Sequence, residues 1–283
     1  MKAIKTITAI VLAIILLVLQ TALLALFAAD RLIAPRALTE AISGAGLMRS
    51  IVEDTLGQMG LDASNVDAAP LDAYAGKLAA STVNALVRDG RMPTVDSGEL
   101  TKLMTGVLAP ALQATEEEAG ALSALLCEQL AAQLNSMLSS RAALAVALEI
   151  PVAALTALEM LFSPMARILL SVAVLLFGFL LVLLLGKRRR VGRTGLVWWS
   201  ITAALAGCLI LLCGAGLDAA LRSALDADTA QFVNALQRAS GGAFILIGAV
   251  GLAMCAVLLI VYFSTKPKRR RRSAEHGVRQ RYA

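Results

Sequence analysis

Histidine is almost absent from this sequence of 283 residues. The single one, His276, lies among basic residues near the C-terminus. Histidine is the side chain used most often for general acid–base catalysis, and it is the commonest metal ligand. The sequence also lacks CxxC and HExxH motifs and phosphate-binding glycine loops. We therefore expect a protein that is not an enzyme and that uses no metal ion or cofactor.

Cysteine is too sparse to form a disulfide framework. Three of the four cysteines, Cys208, Cys213 and Cys255, lie inside long apolar runs, and only Cys127 lies outside them. A fold that is held together by disulfides needs paired cysteines. The part of the chain that contains Cys127 must therefore fold without an internal disulfide, and we expect this cysteine to be a small core residue.

Charged residues make up only 16% of the chain, and the mean hydropathy is +0.76. Ordinary soluble proteins contain about 25% charged residues, so this composition favours a membrane protein. Four runs without a charged residue are each long enough to cross a bilayer, which takes at least about 18 residues. They are residues 6–29, 168–186, 194–217 and 239–265. These runs predict four transmembrane helices.

The first run follows the basic start MKAIK and must be distinguished from a cleaved secretory signal. Such a signal has an apolar core of about 7–15 residues and small residues before the cleavage site. Here the run is 24 residues long, and Leu26 or Phe27 occupies the position where a small residue is needed. We expect a retained signal anchor rather than a cleaved peptide.

The apolar runs divide the chain into acidic and basic parts. Residues 30–165 contain 16 acidic and 8 basic residues, whereas 187–193 contains five basic residues and 266–283 contains eight. Two lysines precede the first run. Short loops rich in Lys and Arg stay on the cytoplasmic side of a membrane. With four spans, both termini and 187–193 lie on that side, so we expect the acidic segment and 218–238 to face outward.

The basic clusters are also the candidate contacts with lipid. The attraction between anionic headgroups and one Lys or Arg near the membrane surface contributes about 1 kcal/mol to the binding free energy. The candidate residues for contact with anionic lipids of the inner leaflet are Lys187, Arg188, Arg189, Arg190, Lys266, Lys268, Arg269, Arg270, Arg271 and Arg272. No aromatic side chains are interleaved with them as a stacking platform for bases, so we expect no specific binding of nucleic acid.

The segment between the first two runs has the pattern of a helical domain. Apolar residues recur at helical spacing over 47–59, 71–86 and 100–112, and Gly60 and Gly90 lie where helices are expected to stop. No stretch shows the sustained alternation of a half-buried strand. We therefore expect helices and no β-sheet.

A further helix is predicted to begin at Thr115. Thr115 and Glu118 have the spacing of a capping box, in which each side chain accepts a hydrogen bond from the other residue's backbone N–H. The leucines that follow at intervals of four residues are Leu122, Leu126, Leu130, Leu134 and Leu138. This spacing places them on one face of the helix, and we expect that face to be buried.

Residues 142–161 allow two interpretations. The stretch is apolar, but it contains Glu149, Pro151 and Glu159. An acidic side chain at the bilayer centre costs about 2.5–3.5 kcal/mol on insertion scales, and a fifth span would move a basic cluster to the outer face. The favoured interpretation is core helices close to the membrane. The alternative is a segment that lies in the membrane interface or dips into it.

The four apolar runs contain no ionisable residue and no proline, which disfavours an ion or substrate pathway through them. The small residues that predict close packing between spans are Ala203, Gly207, Gly248, Ala249, Gly251 and Ala253. The polar residues that we expect to hydrogen-bond between helices are Gln20, Thr21, Ser171, Ser200 and Thr202.

The predicted fold is an all-α integral membrane protein with four transmembrane helices. A helical extracytoplasmic domain lies between the first and second spans. A short helical hairpin extension, whose apolar stripe needs a partner surface, lies between the third and fourth. The predicted divisions are residues 1–5 (cytoplasmic N-terminus), 6–29 (first span), 30–166 (extracytoplasmic domain), 167–186 (second span), 187–193 (cytoplasmic loop), 194–217 (third span), 218–238 (extracytoplasmic hairpin), 239–265 (fourth span) and 266–283 (cytoplasmic tail).

These features favour a non-enzymatic envelope protein, held in a bacterial cytoplasmic membrane, whose acidic domain binds a partner or ligand outside. The alternative is an accessory subunit of a membrane transport or secretion complex that contributes packing surfaces. An apolar cavity in the domain would favour a small ligand. An exposed apolar stripe on the spans would favour the accessory subunit.

Overall fold

A computed structural model describes residues 2–58, 66–88, 90–185, 193–224 and 227–265, and helices account for 88% of these residues. No strand occurs within these ranges. The prediction of an all-α chain is confirmed. The helices in the described ranges are α1 (Lys2–Leu32), α2 (Pro35–Ala45), α3 (Leu47–Gln58), α4 (Ala69–Arg88), α5 (Ser97–Leu112), α6 (Glu116–Met137), α7 (Arg141–Ala147), α8 (Val152–Phe162), α9 (Pro164–Leu185), α10 (Arg193–Ala224), α11 (Ala227–Ala239) and α12 (Ala243–Ser264).

Four of these helices are long and apolar enough to cross a membrane, as the uncharged runs predict. The apolar stretches are Lys5–Leu32 of α1, Pro164–Leu185 of α9, Thr194–Gly216 of α10 and Ala243–Ser264 of α12. α10 packs along α12, and α1 contacts α9, α10 and α12. The four helices therefore form one bundle, with α1 touching each of the others.

Small residues bring α10 and α12 close together. A Cβ atom added to Gly207 would lie 2.8 Å from the carbonyl oxygen of Gly248, and one added to Gly251 would lie 2.7 Å from the Cα of Gly207. Such distances leave no room for a side chain, so the two backbones are in direct contact. The predicted packing role is confirmed for these glycines and for the buried Ala203. It is wrong for Ala249 and Ala253, which are exposed.

The segment between the first two spans, residues 33–163, has its own apolar core. Its buried members are Leu71, Val95, Leu100, Val107, Cys127, Ala131, Leu138 and Leu144. They come from α4 to α7 and from the extended stretch before α5, and α5 and α6 pack along each other. Cys127 is buried and unpaired, as expected.

One helix of this segment, α2, was not predicted. α2 begins with Pro35 at its first turn, where the missing N–H of proline costs nothing. It ends at Gly46, which adopts φ 60°, a conformation that favours glycine. α2 packs against α4 and α11 mainly through alanines such as Ala37 and Ala41.

The capping box at the start of α6 is present as predicted. The Thr115 hydroxyl accepts a hydrogen bond from the backbone N–H of Glu118, and the Glu118 carboxylate accepts one from the backbone N–H of Thr115. Both residues are exposed. This local pattern therefore identified the N-cap of the helix correctly, and α6 itself begins one residue later, at Glu116.

The expected core face of α6 is wrong over most of its length. Of the predicted stripe, Leu138 is buried, whereas Leu122, Leu126 and Leu130 are exposed. The side chains that α6 buries instead are Ala119, Ser123, Cys127 and Ala131. These small residues also recur every four positions, and they let α5 approach closely. Residues spaced four apart therefore form two adjacent faces of α6, one of leucines and one of small residues. The face of small residues is the one that packs against α5.

The region between the third and fourth spans departs from a simple hairpin. α10 continues past its apolar stretch to Ala224, and α11 packs against α2 far more than against α10. A turn at Gly241 and Gly242, both with φ 65°, then leads into α12. The partner surface of α11 is thus provided by α2, in the segment between the first two spans.

Candidate functional surfaces

An ionic network ties the first two spans to the inserted segment. The Asp30 carboxylate, near the end of α1, accepts hydrogen bonds from Arg88 of α4 and from Arg167 of α9, the latter at 3.0 Å. Arg167 also donates to the carbonyl oxygen of Phe162 at 3.0 Å. One carboxylate therefore joins three helices at the point where the chain leaves the apolar bundle.

A second ion pair lies beside this network. Arg141 donates to the Glu159 carboxylate at 2.8 Å and also to the backbone carbonyl of Ala85. A cleft of about 370 Å³ lies next to both pairs, and its lining includes Val87, Phe162, Arg88 and Arg167. Because the charged groups here are already paired with one another, the network is best explained as a structural joint between helices.

Asp72 caps a helix to which it does not belong. Its side chain is only 4% exposed, and it accepts a hydrogen bond from the backbone N–H of Met48 at 2.8 Å and another from that of Arg49. These are free N–H groups in the first turn of α3. Burial raises the pKa of Asp72 above its ordinary value, and the two N–H groups oppose this effect without cancelling it.

A cleft of about 440 Å³ opens beside this cap, between α2, α3 and the start of α4, with Gln231 of α11 at its edge. Its charged lining residues are already engaged: Arg49 pairs with Glu53 at 2.6 Å, and Asp67 accepts the N–H of Ala69 at 3.0 Å. Across the described part of the chain, no group of three or more His, Cys, Asp or Glu side chains is placed to hold a metal ion.

The polar residues of the spans do not link helices in the expected way. The hydroxyls of Thr21, Ser200 and Thr202 each donate to a carbonyl of their own helix, three or four residues earlier. Gln20 is only 2% exposed, and neither atom of its amide has a hydrogen-bond partner within the described ranges. The prediction of hydrogen bonds between helices is therefore wrong for the three hydroxyls.

A contiguous apolar surface of the inserted segment lies along α6. Leu125 is 72% exposed, and Leu122, Leu126 and Leu130 are each roughly half exposed. At 100° per residue these four side chains lie in one sector of the helix. We call this surface, formed by the four leucines, the α6 leucine face. The α6 leucine face lies next to the buried face of small residues. Together the two faces make a wide apolar sector, and α5 covers only the part formed by the small residues.

Acidic residues border the α6 leucine face. Glu116, Glu117 and Glu118 are exposed in the first turn of α6, and Glu128 is exposed one helical turn after Leu125. Carboxylates at a helix N-terminus are stabilised by the helix dipole. The surface is thus an apolar strip with negative charge at one end and along one edge.

The residues predicted to contact anionic lipids belong to the two basic segments that follow α9 and α12 in the sequence. Lys187, Arg188, Arg189, Arg190, Lys266, Lys268, Arg269, Arg270, Arg271 and Arg272 all lie outside the described residues. The α6 leucine face, the Asp72 cap and the Asp30 network were not predicted from the sequence. The spacing of the leucines was recognised, but it was assigned to the core.

Comparison of the chain with protein-family models, with curated proteins and with solved structures found no match in any of the three.

Proposed function

We propose that this is a multi-pass protein of the bacterial cytoplasmic membrane with four spans and both termini in the cytoplasm. The four long apolar helices support the spans. The basic residues at the N-terminus, in 187–193 and in 266–283 support the orientation, because positively charged short loops are retained in the cytoplasm. In this orientation the acidic segment between the first and second spans lies outside.

We further propose that the inserted segment is a non-enzymatic docking module that binds a protein partner through the α6 leucine face. The observation that carries this proposal is the exposure of Leu122, Leu125, Leu126 and Leu130 along one helix. Covering a fully exposed leucine contributes about 1.5–3 kcal/mol. Contiguous exposed apolar patches of this kind mark interaction sites in folded proteins.

The chemistry of the face points to a basic amphipathic helix as the partner. An apolar helical face is complementary to a helix that presents its own apolar residues at intervals of three and four. Glu116, Glu117 and Glu128 would attract basic residues on that helix and speed its association. The same carboxylates disfavour an anionic lipid surface as the occupant. The cleft beside Asp72 has a mostly polar lining rather than the apolar lining that would favour a small ligand.

The proposal is tested by photo-crosslinking of the full-length protein in native membranes. A photoreactive amino acid at Leu125 should give a discrete adduct, and L122Q together with L126Q should abolish it. The same amino acid at Ile51, an exposed apolar residue of α3, should not give that adduct. The crosslinked partner should present a basic amphipathic helix. An adduct that survives L122Q and L126Q, or no adduct from Leu125, would refute a docking role of the face.

A further inference from the structure

The helices α7 and α8 expose an unusual amount of apolar surface for their size. Val146 is 76% exposed and Met160 is 68% exposed, and Leu148, Leu158 and Leu161 are also exposed. The residues that these helices do bury are few: Leu144, Ala145, Leu155 and Phe162. The favoured expectation that 142–161 forms core helices is therefore met only in part: Leu144 belongs to the core of the inserted segment, but most of the large apolar side chains of 142–161 are exposed.

The contacts of α8 place its end beside an apolar part of the first span. Phe162 is buried in a cluster with Leu26 of α1, and the same cluster includes Ala29 and Ile33. Leu26 lies six residues before Leu32, the last residue of α1, which corresponds to about 9 Å along the helix axis. The apolar stretch of α1 includes Leu26. The end of α8 is thus level with a part of α1 that is apolar enough to be in the membrane.

The charged groups of this region are arranged as expected for the boundary of a bilayer. Glu159 is paired with Arg141 at 2.8 Å, and Arg167 is paired with Asp30 at 3.0 Å. Glu149 lies in the exposed connection between α7 and α8 and has φ 56°. α8 has 11 residues, whereas a helix that crosses the bilayer needs about 20. The segment therefore fits a position at the surface of the membrane and not a further span.

We propose that α7 and α8 lie in the lipid interface, at the boundary of headgroups and acyl chains on the Asp30 side of the bundle, and that phospholipid covers their exposed apolar residues. This proposal rests on the proposed membrane insertion of the four spans. Its main support is that α8 leads directly into α9: α8 ends at Phe162, α9 begins at Pro164, and exposed apolar residues occur on both sides of this turn, at Met160 and Leu161 and at Met165, Ile168 and Leu169. The residues of α9 face lipid once α9 spans the membrane, and the surface of α8 extends the same apolar surface.

The α6 leucine face provides the matched comparison. Leu125 is about as exposed as Met160 and is of similar size and polarity. It lies on a helix that contacts α5 and α7 and that carries three exposed glutamates in its first turn. Lipid is thus expected to cover Met160 and not Leu125, although both are exposed apolar side chains.

The experiment uses the full-length chain with its four cysteines replaced. Single cysteines at Met160, Leu125 and Leu169 are labelled with the fluorophore NBD, and each protein is reconstituted into phosphatidylcholine vesicles with and without a lipid that carries a nitroxide near the top of its acyl chain. We expect NBD at positions 160 and 169 to lose most of its emission to the nitroxide. We expect NBD at position 125 to keep its emission.

The outcomes separate this inference from the proposed membrane insertion. Quenching at position 169 without quenching at 160 would overturn the inference and leave the spans intact. Absence of quenching at both positions would overturn the inference together with the insertion of α9. Equal quenching at 125 and 160 would also overturn it, because lipid would then cover the inserted segment without selecting α7 and α8.

Discussion

At the scale of single residues, Asp72 shows how a polar group is used inside the inserted segment. Its carboxylate belongs to α4 but satisfies two N–H groups at the start of α3. Burial of such an acceptor costs free energy because its charge is desolvated, and the charge-assisted hydrogen bonds that it accepts offset part of this cost. The raised pKa of Asp72 indicates that desolvation is the larger of the two effects on its ionisation.

Variants of Asp72 should separate the contribution of its hydrogen bonds to stability from the contribution of its charge. D72A removes the acceptor and should lower the free energy of unfolding by about 1–3 kcal/mol. D72N keeps an acceptor oxygen and should cost less. Thermal unfolding in detergent micelles, followed by circular dichroism, measures both changes. D54A, at an exposed site on α3, is the control and should change stability by less than about 0.5 kcal/mol. Equal losses in D72A and D54A would contradict the capping role.

The raised pKa of Asp72 predicts that the stability of the fold depends on pH. Because the folded-state pKa of Asp72 is raised, its protonated form is favoured by folding. This contribution is complete below the pKa of the unfolded carboxyl and is lost as the pH rises through the folded pKa. D72N cannot ionise, so its melting temperature relative to the wild type should increase as the pH rises from about 4, the ordinary pKa of the carboxyl, towards neutrality. A difference that stays constant or decreases over this range would show that the buried carboxylate ionises without penalty.

Residue-scale features were predictable from the sequence when both partners are close in the chain. The capping box of Thr115 and Glu118 spans three residues and forms as expected. The contact of Asp72 with Met48 spans 24 residues, and that of Asp30 with Arg167 spans 137. No local spacing indicates such pairs, because they depend on how the helices pack.

At the scale of helices, close contact between α10 and α12 is the main packing feature of the bundle. Helices in lipid gain little from the hydrophobic effect, so their association depends on van der Waals contact between well-fitted surfaces. Gly207, Gly248 and Gly251 provide that fit by bringing the backbones together. Gly216, on the same helix as Gly207, has nothing within 4 Å of the position where a Cβ would lie.

These two glycines of α10 give a matched pair of variants. G207A should force α10 and α12 apart and lower the free energy of unfolding by about 1–3 kcal/mol. G216A should be neutral or stabilising by up to about 1 kcal/mol, because alanine is the better helix former. Thermal unfolding of the two full-length variants in the same micelles is the measurement. If G207A is as stable as G216A, the glycines are not at a tight interface.

The helices themselves were largely predictable, and their orientations were not. The uncharged runs and the apolar spacing identified the four long helices as well as α3 to α6. α2 was missed although its buried residues, Ala37, Leu38, Ala41 and Ala45, share one face at helical spacing. In α6, leucines and small residues share the same spacing, and only the position of α5 shows which of them is buried.

At the scale of the whole molecule, three features belong together. The bundle of four apolar helices, the ionic network around Asp30 and the exposed surface of α7 and α8 meet where the chain enters the inserted segment. The network holds α1, α4 and α9 together at this level. The inserted segment is therefore fixed to the bundle by several contacts.

The net charge of the parts of the chain supports the proposed orientation. The inserted segment is acidic, and the short segments that flank the spans at their other ends are basic, which is the arrangement that insertion into the cytoplasmic membrane favours. Docking through the α6 leucine face and lipid contact of α7 and α8 both depend on a bundle that crosses the membrane in this way.

The measurement that tests this arrangement most directly is thiol labelling of intact cells. Single cysteines replace Asp67, Asp226 or Val191 in the full-length chain without its native cysteines, and a membrane-impermeant thiol reagent is added before and after permeabilisation. Positions 67 and 226 should react in intact cells, whereas position 191 should react only after permeabilisation. Labelling of position 191 in intact cells together with protection of position 67 would contradict the proposed topology.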